Sequence, residues 1–195
     1  APVITGTATI TGGVSDFTPT ANSTLGSYNV TASAVGASPA ITFALTNTLR
    51  ASATTLVAAP NPSIIDQSVT FTATVTDSVG SALPTGVVTF TVNSVEVTAS
   101  LASGVATYIT NTLTVGSHVI TATYGGDASF TGSSDALTQV VNRAATSTVL
   151  AGAPTPSVYG QAVTFTATVT VTAPGADLPT GIVTFTDGAT TLGTG

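Results

Sequence analysis

The sequence has 195 residues, of which Lys and Arg number 2, Asp and Glu 8 and His 1, so that 5% are charged and the net charge is −6. Two cations cannot neutralise a row of phosphates or dock on an anionic membrane surface, so nucleic acid and anionic lipid are excluded as partners. Because the chain has no Cys and one His, a thiolate nucleophile and the usual zinc sites are excluded as well.

The composition predicts strands and turns. The apolar residues are short or β-branched and are interrupted by Thr, which favours strands, and the 19 Gly and 10 Pro favour turns. No run approaches the roughly 18 apolar residues of a spanning helix, so we expect no membrane insertion. The chain begins at Ala1 and shows no basic and then apolar leader, so we expect a mature or excised piece of an extracellular protein.

The first segment, residues 1–50, resembles a stretch of the chain about 90 residues further on. Residues 26–32 (GSYNVTA) match residues 116–122 (GSHVITA), and Phe43–Asn47 lies where residues 136–142 lie in the later copy. Both stretches then run into an arginine, Arg50 in one case and Arg143 in the other. Residues 1–50 are therefore predicted to be the C-terminal half of a repeated module.

The middle segment, residues 51–142, carries the strand pattern of a complete module. From position 69 to 76, apolar residues alternate with Thr, which predicts a half-buried strand with a Thr-covered outer face. The same criterion predicts strands at 54–57, 88–92, 95–101, 105–110, 118–124 and 136–141, separated by turn residues. Seven short antiparallel strands at this spacing favour a sandwich of immunoglobulin type, and no segment favours a helix.

The last segment, residues 143–195, repeats the beginning of the middle one. The stretch PNPSIIDQSVTFTATV at 60–75 recurs at 154–169 with 11 of 16 positions identical, and LPTGVVTFT at 83–91 recurs as LPTGIVTFT. Residues 143–195 are therefore predicted to be the N-terminal half of a further module. A module of this length is the size of a small β-sandwich.

Four blocks carry a resemblance to a known family: SVTFTATV, LPTGVVTFT, GSHVITATYGGDASF and LTQVVN. In this order they resemble the tandem bacterial immunoglobulin-like (Ig-like) repeats of long secreted and surface-anchored bacterial proteins. The first segment lacks the YGGD turn and is similar to a neighbouring subtype of the same superfamily. The resemblance implies an all-β chain of tandem antiparallel Ig-like β-sandwiches that forms a stalk, spacer or adhesive fibre, and it does not imply catalysis.

Two candidate chemical sites have a structural alternative that we favour. His118 is the only candidate general base, but its counterpart in the first segment is Tyr28, which favours a ring that pins a loop by hydrogen bonding. Asp127 and Asp135 could belong to a calcium site, but calcium loops concentrate more carboxylates than this. Asp127 follows two glycines, so its side chain is expected to hydrogen-bond the backbone of its own turn. Asp66 is replaced by Gly160 in the repeat, which predicts that this position lies in a turn.

For several other residues, the sequence either leaves two interpretations open or favours a structural role. Asn22 and Asn29 match the N-glycosylation pattern, which a Thr-rich chain produces by chance. Arg50 and Arg143 are either solvated linker charges or contacts to a carboxylate such as Asp66 or Asp77. The aromatic residues are expected in cores and corners: Phe71, Phe90, Tyr108, Tyr124, Phe130, Phe165 and Phe185.

The sequence therefore predicts a non-catalytic structural repeat segment of a bacterial extracellular fibre, filament or surface stalk. We assign no catalytic, cofactor-binding or metal-binding residue and no cofactor. The expected partners are further copies of the chain, in head-to-tail or lateral contact, because almost no charge guards the strand edges against pairing. The alternative is an adhesin or carbohydrate-binding module of a large secreted protein, whose partners would be glycans or other surface proteins.

Overall fold

A computed structural model describes residues 7–18, 24–35 and 40–195 of the chain. Within these ranges the protein is all-β, as the composition predicts. The described residues form no helix, and so none that is long and apolar enough to cross a membrane.

Two strands of the first segment pair antiparallel, β1 (Gly26–Ala32) and β2 (Ile41–Asn47). Before them, a two-residue turn is closed by reciprocal backbone hydrogen bonds of 3.0 and 3.2 Å between Thr11 and Val14. The middle segment has the same turn between Ala102 and Val105, closed at 2.8 and 3.0 Å. The first segment thus contains a turn of the same kind as the one at Ala102–Val105 in the middle segment.

Residues 52–142 form two sheets that pack face to face. One has three strands in the order β3-β5-β8, and the other has five in the order β4-β10-β9-β6-β7. Their bounds are β3 (Ser52–Ala59), β4 (Ser63–Ile64), β5 (Val69–Asp77), β6 (Val87–Val92), β7 (Val95–Ser100), β8 (Val105–Thr110), β9 (Gly116–Tyr124) and β10 (Ser133–Asn142). The seven strands expected from the sequence are present, and the two-residue strand β4, which pairs parallel with β10, is an eighth.

The core of this sandwich consists of the residues that alternate with Thr along the strands. Phe71, Ala73, Phe90, Ile120 and Ala122 have no exposed surface. The intervening Thr residues of β5 lie on its other face, where they are half-buried or exposed. Burial of the apolar set is the main stabilising contribution of such a strand, and the Thr hydroxyls keep the outer face soluble.

The last segment forms two antiparallel strand pairs. The first joins β11 (Thr146–Ala153) to β12 (Thr164–Val171), and the second joins β13 (Thr184–Asp187) to β14 (Thr190–Thr194). Leu150 lies opposite Ala167, as Leu56 lies opposite Ala73 in the middle segment. The first of these pairs therefore keeps the strand register of the middle segment, whereas the second has a register shift between Phe185 and Thr186 that β6 and β7 do not have.

The turn after the first strand is also repeated. In the middle segment, the backbone N–H of Ile64 donates to the Gln67 side chain at 2.9 Å, and in the last segment Val158 donates to Gln161 at 3.1 Å. Between them, Asp66 has a φ of 66° and Gly160 a φ of 82°. Both lie in the left-handed region, which glycine and aspartate tolerate, so the predicted turn position is confirmed and its substitution explained.

Candidate functional site

Asp127 organises the corner between β9 and β10. Its carboxylate accepts hydrogen bonds from the backbone N–H groups of Ser129 at 2.7 Å and Phe130 at 2.9 Å. It also accepts from the backbone N–H and the hydroxyl of Thr85, at 2.9 and 2.7 Å. Burial alone would raise the pKa of Asp127, but these four donors outweigh it and hold the pKa well below its usual range. The turn interpretation of Asp127 is therefore confirmed.

Asp135 serves a different element. Its carboxylate accepts a hydrogen bond from the backbone N–H of Leu56 at 2.8 Å, which ties β10 to β3 across the sandwich. Asp127 and Asp135 thus have separate backbone partners. In the described ranges, no group of three or more His, Cys, Asp or Glu side chains lies close enough to hold a metal ion.

Both ring nitrogens of His118 are engaged inside the sandwich. Nε2 lies 2.7 Å from the carbonyl oxygen of Thr114, and Nδ1 lies 3.0 Å from the side-chain oxygen of Asn93. The side chain is 7% exposed. The ring therefore fixes the turn before β9 to the β6–β7 turn, as the loop-pinning interpretation predicts, and neither nitrogen is presented to a substrate.

Tyr124 lies beside the corner that Asp127 organises, with its ring in the core and its hydroxyl buried. Burial and the negative charge of Asp127 raise the pKa of Tyr124 to about 12. The hydroxyl has no hydrogen-bond partner among the described residues. The phenol is therefore neutral throughout the physiological range and contributes packing surface.

Arg50 binds Asp77, one of the two carboxylates considered for it. The guanidinium forms a salt bridge with the Asp77 carboxylate and lies 5.8 Å from the centre of the Phe130 ring. Burial would raise the pKa of Asp77, but the hydrogen bond from Arg50, those from the N–H groups of Val79 and Ala82, and the Arg50 charge together lower it. The Arg50 backbone also exchanges hydrogen bonds of 2.9 Å with Ser129 and Thr131.

Gln139 is a structural residue that sequence reasoning missed. Its side-chain amide is completely buried and donates to the carbonyl of Pro60 and the hydroxyl of Ser63, both at 3.1 Å. The Asn61 side chain strengthens this contact, because it forms hydrogen bonds with backbone groups of β10 on either side of Gln139. These bonds hold β4 against β10. A buried glutamine within a strand gives no signal in a pattern of alternating apolar residues.

The last segment contains an open apolar groove, with a cavity volume of about 440 Å³. We call it the open groove and define it by Leu150, Phe165, Ala167, Val183, Phe185 and Leu192. Phe165 is 50% exposed here, whereas its counterpart Phe71 has no exposed surface. The expectation that Phe165 lies in a core is therefore wrong for this structure, because no strand among the described residues covers it as β8, β9 and β10 cover Phe71.

The first segment presents an exposed apolar surface. Along the paired strands β1 and β2, Tyr28 lies opposite Leu45, Val30 opposite Phe43 and Ala32 opposite Ile41. Opposite and alternate residues share one face of a sheet, so these six residues form one surface, the apolar hairpin face. Ile41, Phe43 and Leu45 are 57%, 64% and 42% exposed. Asn29 lies exposed on the other face, and Asn22 lies outside the described residues.

The comparisons with known proteins concern the middle segment. Residues 54–142 match the family model of the bacterial Ig-like domain (group 3). The chain therefore contains an Ig-like domain, and its two packed sheets are consistent with that fold. No curated protein matches the chain.

Proposed function

We propose that this chain is a non-catalytic structural segment of a bacterial extracellular fibre or surface stalk. The observation that carries the proposal is the repeat of one strand pair in two successive segments with an unchanged register, Leu56 opposite Ala73 and Leu150 opposite Ala167. Repetition of a folded unit is how a chain gains length without a new fold. Bacterial Ig-like domains are also common in surface and extracellular proteins, which agrees with this role.

The polar groups of the middle segment support a structural role. His118, Asp127 and Asp135 all accept or donate hydrogen bonds inside the sandwich, and Arg50 is paired with Asp77. A catalytic acid or base has to reach a substrate. Groups already engaged in fixing turns and strands instead make the module stiff, which suits a stalk.

Immunogold electron microscopy of intact cells that make the protein tests this function. Antibodies raised against the 195-residue chain should label fibres or stalks outside the cell, and brief protease treatment of intact cells should remove the label. Pre-adsorption of the antibody with the purified chain is the control. Label that appears only after the cells are opened would contradict the proposal.

A glycan array separates this role from that of an adhesin. A structural segment should show no saturable binding that a free sugar competes away. Saturable, competable binding to one glycan class would instead assign the chain to the carbohydrate-binding alternative.

A further inference from the structure

We propose that the contact between the first and the last strands of the middle sandwich carries tension along the chain. We call it the terminal-strand contact and define it as the contact of residues 52–65, which include β3 and β4, with residues 131–142, which include β10. The inference rests on the proposed structural function and deepens it, because a segment of a fibre or stalk has to transmit force to its neighbours.

The two sides of the terminal-strand contact run in the same direction. β4 pairs parallel with β10, and beyond it the backbone N–H of Ile65 donates to the carbonyl oxygen of Asn142 at 2.9 Å. The hydrogen bonds across the contact that involve a side chain join residues 76 to 81 positions apart. Because this separation is nearly constant, residues 52–65 and 131–142 lie side by side as parallel strands.

The chain enters and leaves the middle sandwich at opposite ends of this contact. The first segment precedes β3, and the last segment follows β10. Tension between the two neighbouring segments therefore pulls on Ser52 and on Asn142 in opposite directions along the strands. Parallel strands that are pulled in this way slide past each other, so the hydrogen bonds between them are loaded together and not one after another.

In its first half, the terminal-strand contact is made through side chains, because β3 and β10 belong to different sheets. The Ser52 hydroxyl donates to the carbonyl oxygen of Thr131 and lies within hydrogen-bond distance of the Ser133 hydroxyl, both at 2.7 Å. The backbone N–H of Leu56 donates to the Asp135 carboxylate at 2.8 Å. A hydrogen bond to an ionised carboxylate is stronger than one between neutral groups, which strengthens this half of the contact.

In its second half, the Asn61 side chain takes the place of a strand backbone. It donates to the carbonyl oxygen of Thr138 at 2.8 Å and accepts from the backbone N–H of Val140 at 3.1 Å. A residue of a parallel strand bonds in the same way to the two residues that flank its partner, which here is Gln139. Asn61 thus extends the short parallel pairing of β4, and the buried Gln139 amide answers with its bond to Pro60.

Opening of the terminal-strand contact uncovers the core. Leu56 and Val141 lie on its two sides, and both belong to the core cluster of the sandwich. The strands from β5 to β9 are not pulled directly while the contact holds. We therefore expect the rate at which the sandwich unfolds under tension to be the rate at which this contact breaks.

Optical tweezers test the proposal on the full 195-residue chain. The chain has no Cys, so two introduced cysteines are the only attachment points. Ala51→Cys with Arg143→Cys pulls at opposite ends of the contact, and Ala51→Cys with Ala128→Cys pulls at the same end; all three positions are exposed. Release of residues 51–143 adds roughly 300 Å of extended chain, which identifies the unfolding event.

The opposite-end geometry should require at least about twice the unfolding force of the same-end geometry. The reason is that the hydrogen bonds of the contact break together when the strands slide, and one after another when they are pulled apart from one end. Both geometries use the same native side chains within the contact. Equal forces in the two geometries would overturn the proposal without recourse to any variant of the contact.

Asn61→Ala tests the side-chain part of the contact. In the opposite-end geometry it should raise the unfolding rate at a given force by roughly 10-fold or more, because two hydrogen bonds are lost. Thr85→Val is the matched control, because its lost hydrogen bond to Asp127 lies outside the contact and is still formed when the contact breaks. It should change the rate by less than about twofold. Equal acceleration by the two variants would overturn the proposal.

The test is independent of the proposed function. Equal forces in a chain that is found outside the cell would overturn the mechanical inference alone. A higher force in the opposite-end geometry, in a chain that is found only inside the cell, would overturn the extracellular role alone.

Discussion

Leu56 and Leu150 occupy the same position of the repeat and face the same partner type, an alanine on the neighbouring strand, yet Leu56 is 7% exposed and Leu150 is 61% exposed. The difference lies in what covers them. Leu56 belongs to a core completed by β9 and β10, whereas Leu150 lines the open groove. One leucine therefore stabilises its module in the isolated chain and the other does not.

This pair gives the first prediction. Leu56→Ala should lower the free energy of unfolding of the middle sandwich by about 2–5 kcal/mol, because it removes buried surface and leaves a cavity. Leu150→Ala should change it by less than about 0.5 kcal/mol. Urea unfolding of both variants measures the difference, and equal losses would contradict the assignment of Leu150 to an uncovered surface.

Acid should destabilise the middle sandwich. The pKa values of Asp77 and Asp127 are lowered in the folded state, so both carboxylates contribute stability above the unfolded value of about 4. That contribution is lost progressively as the pH falls below about 4, toward the lowered pKa values. Thermal unfolding at a series of pH values from 6 to 2 measures it.

The variant Asp127→Asn should be less stable than the wild type at pH 6 and should lose less stability between pH 6 and pH 2. Thr85→Val removes one of the four hydrogen-bond donors to Asp127. Its loss of stability between pH 6 and pH 2 should therefore lie between the losses of Asp127→Asn and of the wild type. If Asp127→Asn and the wild type lost the same stability over this range, the Asp127 hydrogen bonds would not be the cause.

His118 should matter for stability through both of its ring nitrogens. Its replacement by alanine leaves Asn93 and the Thr114 carbonyl without this partner and opens space in the sandwich, which should cost about 2–4 kcal/mol. Val119→Ala, at the exposed neighbouring position, is the control and should be nearly neutral. A fully stable His118→Ala protein would be inconsistent with the loop-pinning role.

The contact of Arg50 with Asp77 should depend on Gly80. A methyl group at position 80 would meet the Arg50 guanidinium and come within 2.8 Å of an Asp77 oxygen. Gly80→Ala should therefore displace Arg50 and lower Tm, and combining it with Arg50→Met should lower Tm little further. Differential scanning calorimetry of the two single variants and the double variant checks this, and fully additive losses would show that the two changes act separately.

Much of this fold could be predicted because alternation along the strands reports directly on burial. Phe71, Phe90 and Ile120 alternate with polar residues and lie in the core, and Asp127 after two glycines caps its own turn. The local pattern could not reveal that Gln139 is buried, because its partners Pro60 and Ser63 are more than 70 residues away. Nor could it predict that Phe165 is exposed, because alternation identifies an inward face but not whether a second sheet covers it.

Immunogold electron microscopy of intact cells that make the protein tests the proposed extracellular structural role most directly. We expect the antibody to label fibres or stalks outside the cell, and we expect brief protease treatment of intact cells to remove that label. Label that appears only after the cells are opened would contradict the extracellular role.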